Sequence, residues 1–261
     1  MNMNHVVGSH DVLFLVIDTL RYDVATDEWR AGRTPNLARV LPAGGWEERH
    51  TPGSFTYAAH QAFFAGFLPT PAKPGRHPRP FAIRFGGSET TTGDTCVFDA
   101  PDLVHGFKSR GYRTICIGGV GFFNPENPLG RVLPGYFDEA HWSVQTGVTD
   151  PRSTEHQVRL ACERLADVKE RVFLFINVSA LHQPNKHYLP GATEDSKESH
   201  AAALRYVDSQ LPPLFDAFAK RGKTLGLLGS DHGTAYGDDG FTGHRLAHPA
   251  VWTVPWAEVI F

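Results

Sequence analysis

The chain runs to 261 residues with an apolar fraction of 41% and a formal net charge of −3. That length suits one large α/β domain and is tight for two. Lysine plus arginine (25) nearly balances aspartate plus glutamate (28) without a long basic run, so the electrostatic footprint of a nucleic-acid binder is absent.

In chain order, the first apolar run is VLFLVI (12–17), too short for a signal peptide and closed by Asp18. Its continuous β-branched and aromatic pattern predicts a strand buried on both faces. HTPGSFTYAAHQAFFAGFLP (50–69) predicts a helix starting near Tyr57. Residues 69–95, rich in proline and glycine, predict a long loop or a small edge hairpin. Residues 101–110 predict a short helix with Gly111 as its C-cap. TICIGG (114–119) reads as a second buried strand, followed by a long loop over 120–152. Residues 154–166 predict a helix with Val158, Ala161, Cys162 and Leu165 on one stripe. VFLFINV (172–178) is a third strand. Residues 199–219 predict a helix with Leu204, Val207, Leu211, Leu214, Phe215 and Phe218 facing inward, and Pro212-Pro213 must kink it or start a new one. TLGLLG (224–229) is a fourth strand, and VWTVPWAEVIF ends on a last one. Strands alternating with helices predict an α/β fold with a doubly wound, mostly parallel central sheet flanked by helices. The expectation is one domain over 1–261, with loop excursions near 69–95 and 120–152 as functional covers.

No stretch approaches the roughly 20 apolar residues of a membrane span. Cys96, Cys116 and Cys162 form no paired spacing and no CxxC. Together these features predict a cytoplasmic protein with reduced thiols, without a disulfide scaffold or a cysteine-only metal site.

Open α/β sheets bind ligands beyond the carboxyl ends of their strands. Strand 12–17 delivers Asp18. Strand 172–178 delivers His182, with His187 close behind. Strand 224–229 delivers Asp231 and His232, and the glycine-rich loop GTAYGDDGFTG returns the chain to His244. Carboxylates and imidazoles together favour zinc, or manganese, over calcium, which prefers all-oxygen ligands. The plainer alternative is that Asp18 and Asp231 cap the helices after their strands. Thr51, Ser54 and Thr56 precede the helix near Tyr57; a hydroxyl there is ordinarily an N-cap, yet the place also suits a nucleophile. No GxSxG elbow exists to anchor a serine-hydrolase reading.

Four segments in order, VLFLVIDTLRYD, TPNLARV (34–40), FTYAAHQAFFAGFLP and GSDHGTAYGDDGFTGH, resemble the alkaline phosphatase superfamily, in particular its sulfatase-like branch. The resemblance implies that Asp18, Thr56, Asp231 and His232 hold one metal, with Thr56 also the nucleophile. His182 and His244 match histidines that contact substrate or a second, weaker metal. Thr56 is preferred to Ser54 because it stands four residues before His60. The chain departs from true sulfatases: no Cys-x-Pro-x-Arg sequence is present, Thr19 follows Asp18 where sulfatases carry a second aspartate, and Val178 stands where two-metal members carry one. These departures imply zinc or manganese chemistry on phosphorus. The expectation is a hydrolase acting on a small-molecule phosphate ester through a phosphothreonine. The alternatives are a phosphoryl or substituted-phosphoryl transferase, a sulfate-ester hydrolase, and a non-catalytic metal-stabilised partner domain.

Other polar residues carry plainer expectations. Arg21 and Asp23 read as a local ion pair or cap, and His60 as a residue behind the ligands. His187 is open between the site and the loop surface. Asp238 and Asp239 read as exposed loop residues, and the sequon at Asn177 as chance on a buried strand.

Overall fold

The computed structural model describes residues 3–66, 81–83, 96–98 and 102–261. In chain order the elements are β1 (Asp11–Ile17), α1 (Tyr22–Arg30), α2 (Pro35–Ala38), β2 (Glu47–His50), α3 (Thr56–Ala65), β3 (Phe81–Ile83) and β4 (Cys96–Phe98). Next come α4 (Leu103–Lys108), β5 (Arg113–Ile117), β6 (Glu139–His141), α5 (Ser153–Asp167) and β7 (Val172–Val178). The chain then forms α6 (Lys197–Gln210), α7 (Pro212–Arg221), β8 (Thr224–Gly229), the hairpin β9 (Ala235–Asp238) and β10 (Phe241–Gly243), α8 (Pro249–Trp252) and β11 (Thr253–Ile260).

Seven strands make the central sheet in the order β2-β11-β8-β1-β7-β5-β6. The five from β8 to β6 are mutually parallel, and β11 and β2 add an antiparallel edge. Every residue of β1 and β7 is buried, because helices cover both faces. Leu13, Leu15 and Ile17 face one core with Leu174 and Ile176, beneath α1, α2, α5, α6 and α7. Val12, Phe14 and Val16 face the other with Phe173 and Phe175, beneath α3 and α4. Period-two alternation on a continuous apolar strand thus feeds two cores at once.

The doubly wound, mostly parallel sheet agrees with the expectation. Pro212 takes the first position of α7, so the region expected as one helix divides into α6 and α7. The strand expected over 114–119 ends at Ile117. A Cβ on Gly119 would lie 2.4 Å from the Asn177 carbonyl oxygen, so the chain leaves the sheet by pressing its backbone against the end of β7. The stretch 120–152 is not an open loop: it holds four single turns of 3₁₀-helix and the edge strand β6. Three strands gave no apolar signal. β2 is EERH, wholly exposed and recruited by pairing with β11, while β9 and β10 arise inside the glycine-rich stretch read as loop. The region 69–95 lies outside the described residues except for β3, which pairs in parallel with β4.

Register levels the strand ends. Val16 of β1 stands opposite Gly229 of β8 and Asn177 of β7. Asp18 and Asp231, each two residues further along its strand, therefore emerge side by side.

Candidate metal centre

Asp18, Asp231, His232 and Thr56 are all essentially withdrawn from solvent, at 0%, 0%, 0% and 2% exposure. Each of the first three has one ligand atom fixed by the surrounding chain and another left free. Asp18 Oδ2 accepts from Asn177 Nδ2 at 3.0 Å and from Thr56 Oγ1 at 3.3 Å, while its Oδ1 has no partner among the described residues. Asp231 Oδ1 accepts the backbone N–H groups of Thr19 (3.2 Å) and His232 (3.0 Å), and its Oδ2 is likewise unpartnered. His232 Nδ1 donates to the Gly233 carbonyl at 2.8 Å, which leaves the lone pair on Nε2 facing the two carboxylates. Nε2 stands 3.6 Å from Asp231 Oδ2, 4.0 Å from Asp18 Oδ1 and 3.3 Å from Thr56 Oγ1.

These separations fit a cation. A tetrahedral ion with N/O bonds of about 2.0–2.2 Å sets its ligand atoms roughly 3.4 Å apart. Two buried carboxylate oxygens without hydrogen-bond donors also need a positive neighbour to remain charged. Burial, then the neighbouring Asp231 charge, pushes the Asp18 carboxyl up to about 6. Burial pushes Asp231 up to about 7, against the pull of the backbone N–H groups it accepts. Among the described residues, Asp18, Asp231 and His232 are the group of histidine, cysteine and acidic side chains whose ligand atoms lie within 4.8 Å of one another.

Local structure explains each position. Thr56 is the first residue of α3 and Phe55 is its N-cap, with no side-chain cap bond, so the Thr56 hydroxyl faces the centre rather than closing the helix. Thr51, the other hydroxyl considered, is committed to the carbonyls of Gly53 and Asp231. The Asp18 and Asp231 carboxylates cap no helix. Thr19, directly after Asp18, has φ +62°, an unusual strain for a β-branched residue, and this conformation aims its N–H at Asp231.

His182 and His244 stand beside this group. The His244 ring centroid is 4.7 Å from that of His232 and 5.8 Å from that of His182. Both rings are half-buried. His182 Nδ1 donates to the Gln183 carbonyl at 2.7 Å. Burial, reinforced by His232, His182 and Arg245, pulls His244 down to about 4, so it is neutral at pH 7. His187 is exposed and packs on Tyr188. His60 lies behind Thr56, fully buried among Phe63, Phe64, Phe123 and Phe175, with Nδ1 bonded to the Thr56 carbonyl at 2.7 Å.

Three residues were missed or misjudged from sequence. Asn177 orients Asp18 and accepts the Val120 N–H; its signal was one amide in an otherwise apolar strand. Thr19 had no local signal for its backbone role. Asp238 is not a free loop residue: both its oxygens take the buried Arg21 guanidinium, at 2.8 and 2.9 Å. Arg21 does pair with Asp23 as expected, and this second pair adds a long-range tie. Asp239 is exposed, as expected.

The fold is shared with solved structures that include a protein of the alkaline phosphatase superfamily. A protein of that superfamily from Vibrio parahaemolyticus matches at a TM-score of 0.62 and 17% identity, over 96% of this chain and 60% of that one. The C-terminal periplasmic domain of phosphoethanolamine transferase EptC from Campylobacter jejuni matches at 0.62 and 13% identity, over 96% and 79% of the two chains. The zinc complex of the corresponding domain of EcEptC from Escherichia coli gives 0.63 and 14% identity, over 97% and 74%. No protein-family model matches the sequence, and no curated protein does. Identities this low establish a shared fold alone.

Proposed function

We propose that this protein is a metal-dependent hydrolase of phosphate or related phosphorus esters, with Thr56 as the nucleophile. The observation that carries the reading is the place of the Thr56 hydroxyl, 3.3 Å from both Asp18 Oδ2 and His232 Nε2, in a buried centre with unpartnered acceptors. Asp18, Thr56, Asp231 and His232 would hold one divalent cation, zinc or manganese by donor type, with His182 and His244 beside it for a weaker second ion. When bound, that cation lowers the Thr56 hydroxyl pKa and offsets charge on the transferring group.

Thr56 Oγ1 attacks phosphorus in line. Its bond to phosphorus forms as the bond from phosphorus to the leaving oxygen breaks, and the first backbone N–H groups of α3 face the non-bridging oxygens. His182 and His244 line the space those oxygens and the leaving group occupy, and the proton given up by the Thr56 hydroxyl ends on the leaving alcohol by way of solvent. Water then attacks from the opposite side, the bond from phosphorus to Oγ1 breaks, and the Thr56 hydroxyl is restored. Two moderate barriers replace one high one. Asn177, Thr19 and Gly233 hold the ligand atoms in place throughout.

Transfer to an acceptor hydroxyl is the second reading, favoured by the fold match to a phosphoethanolamine transferase. It differs only in the molecule that attacks the phosphothreonine. Metal-reconstituted protein should be assayed on aryl phosphate, phosphodiester and sulfate esters, with added alcohols as acceptors. Acid-quenched turnover should trap a phosphoryl adduct on Thr56 by peptide mass spectrometry. Preferential release of sulfate, or turnover with no adduct at Thr56, contradicts the proposal; alkyl phosphate formed from added alcohol selects transfer.

A further inference from the structure

Strand register places Asp18, Asp231 and His232, but it does not place the two histidines beside them. His182 lies four residues past Val178, the end of β7, in an irregular turn. His244 follows β10, whose hairpin with β9 is a two-stranded sheet separate from the central one. Yet the two ring centroids stand only 5.8 Å apart. Contacts outside the central sheet must hold these segments together, and one buried amide supplies them.

Asn185 is 0% exposed. Its Nδ2 donates twice: to the carbonyl of Leu181, the residue before His182, at 2.8 Å, and to the hydroxyl of Tyr236 on β9 at 2.7 Å. Its Oδ1 accepts the Ser199 hydroxyl at 2.5 Å, and its backbone N–H donates to Asp195 Oδ1 at 2.7 Å. A carbonyl only accepts, so the Leu181 bond fixes which way the amide faces. Tyr236 stands opposite Thr242 in the hairpin, and Thr242 is two residues before His244. The Tyr236 hydroxyl also lies 3.0 Å from Nδ1 of the fully buried His200. His200 Nε2 in turn accepts the N–H of Arg21, three residues after Asp18, at 3.5 Å. The network therefore joins the turn after β7, the β9–β10 hairpin and the turn after β1. Its net contribution to stability is modest, because folding exchanges these bonds for bonds to water. Its bonds are directional, and a fully satisfied buried network holds its members in one arrangement.

We infer that Asn185 and Tyr236 are positioning residues: the bond between them holds His182 and His244 at their separation beside the centre. The inference rests on the reading of those histidines as part of the site, and deepens it by naming what sets their spacing. Removing the Tyr236 hydroxyl frees the hairpin from the turn after β7. Asp18, Asp231, His232 and Thr56, placed by the central sheet and α3, keep their positions.

The test uses the zinc-loaded full chain with Tyr236→Phe, Asn185→Ala and the double variant. The nuclear Overhauser effect between the His182 and His244 ring protons reads their separation, and turnover of an aryl phosphate reads the consequence. Wild type should show the Overhauser effect and each variant should lose it, with zinc stoichiometry unchanged. In the variants kcat/KM should fall roughly 10- to 100-fold, the scale of a misplacement of about 1 Å near reacting atoms. Because the two residues act through one bond, the double variant should lose no more than Asn185→Ala alone. An Overhauser effect absent from wild type or unchanged in both single variants, losses that add in the double variant, or zinc lost in step with activity overturns the inference. The spectroscopic arm separates the two claims: an Overhauser effect lost in Tyr236→Phe, in a protein that turns over no ester, keeps the positioning role and sinks the catalytic reading.

Discussion

Two ionic clusters sit at the same end of the sheet, one fully buried and one with only its arginine buried, and they are built on opposite principles. Asp18 and Asp231 belong to one; Arg21 and Asp238, three and seven residues further along the same two segments, belong to the other. In the Arg21 cluster every charge is matched: the guanidinium takes Asp23 and Asp238, each through two oxygens, and Lys197 adds a contact to Asp23. In the Asp18 cluster the charges are alike, and one oxygen of each carboxylate has no donor among the described residues. Pairing holds Asp238 well below the usual carboxylate range, while burial raises both Asp18 and Asp231 above it. A satisfied buried network fixes geometry; an unsatisfied one sustained by the fold holds a place for a ligand. The first also serves the second. The Arg21–Asp238 pair ties the turn after β1 to β9, and the β9–β10 hairpin ends at Gly243, next to His244.

The contrast can be broken from either side. The largest effect belongs to Thr56→Ala, which should lower kcat by roughly four orders of magnitude or more, because removing a nucleophile removes the covalent route. Metal should still bind, more weakly, in an equilibrium titration.

Asp231→Asn should reduce metal affinity at least about 100-fold, yet the metal-free variant should be more stable than metal-free wild type. An acid whose pKa is raised by folding stabilises below its unfolded value, near 4, and loses that contribution as pH rises through about 7. The advantage of the variant should therefore be small at pH 5 and larger at pH 8. Comparing the two proteins in chelator at each pH cancels the opposite slope from the buried neutral histidines His60 and His200. A metal-free variant less stable than wild type at pH 8 would remove the claim of carboxylate repulsion.

Asn177→Ala should weaken metal binding by roughly 10- to 100-fold, since Asp18 loses the donor that orients it. Asp238→Asn is the counterpart on the satisfied side. It should cost about 2 kcal/mol of stability, below the 3–5 kcal/mol of a fully buried pair, because the Asp238 side chain is 28% exposed. Metal stoichiometry should not change. Equal loss of metal in Asp238→Asn and Asp231→Asn would erase the distinction between scaffold and site.

The sequence exposed what depends on local pattern. β1, β7 and β8 are continuous apolar runs buried on both faces, and the residues just past them are where parallel sheets present chemistry. That reasoning collected Asp18, Asp231 and His232, and the resemblance to a known superfamily singled out Thr56. Partnerships across the chain stayed hidden. Arg21 and Asp238 are 217 residues apart, and nothing near either one signals the other. β2 carries four polar residues and becomes a strand only because β11 offers it an edge. Thr19 contributes a backbone N–H through a strained φ, which residue identity does not encode. Asn177 was the visible exception, a polar residue in a strand with no solvent to face.

The account's central claim is that four side chains from three separated stretches share one ion. Anomalous diffraction at the zinc edge from crystals grown with one equivalent of Zn²⁺ tests it directly. The predicted result is a strong peak within bonding distance of Asp18, Thr56, Asp231 and His232, lost in Asp231→Asn. No peak there, or an ion held elsewhere with the Thr56 hydroxyl turned away, would contradict it.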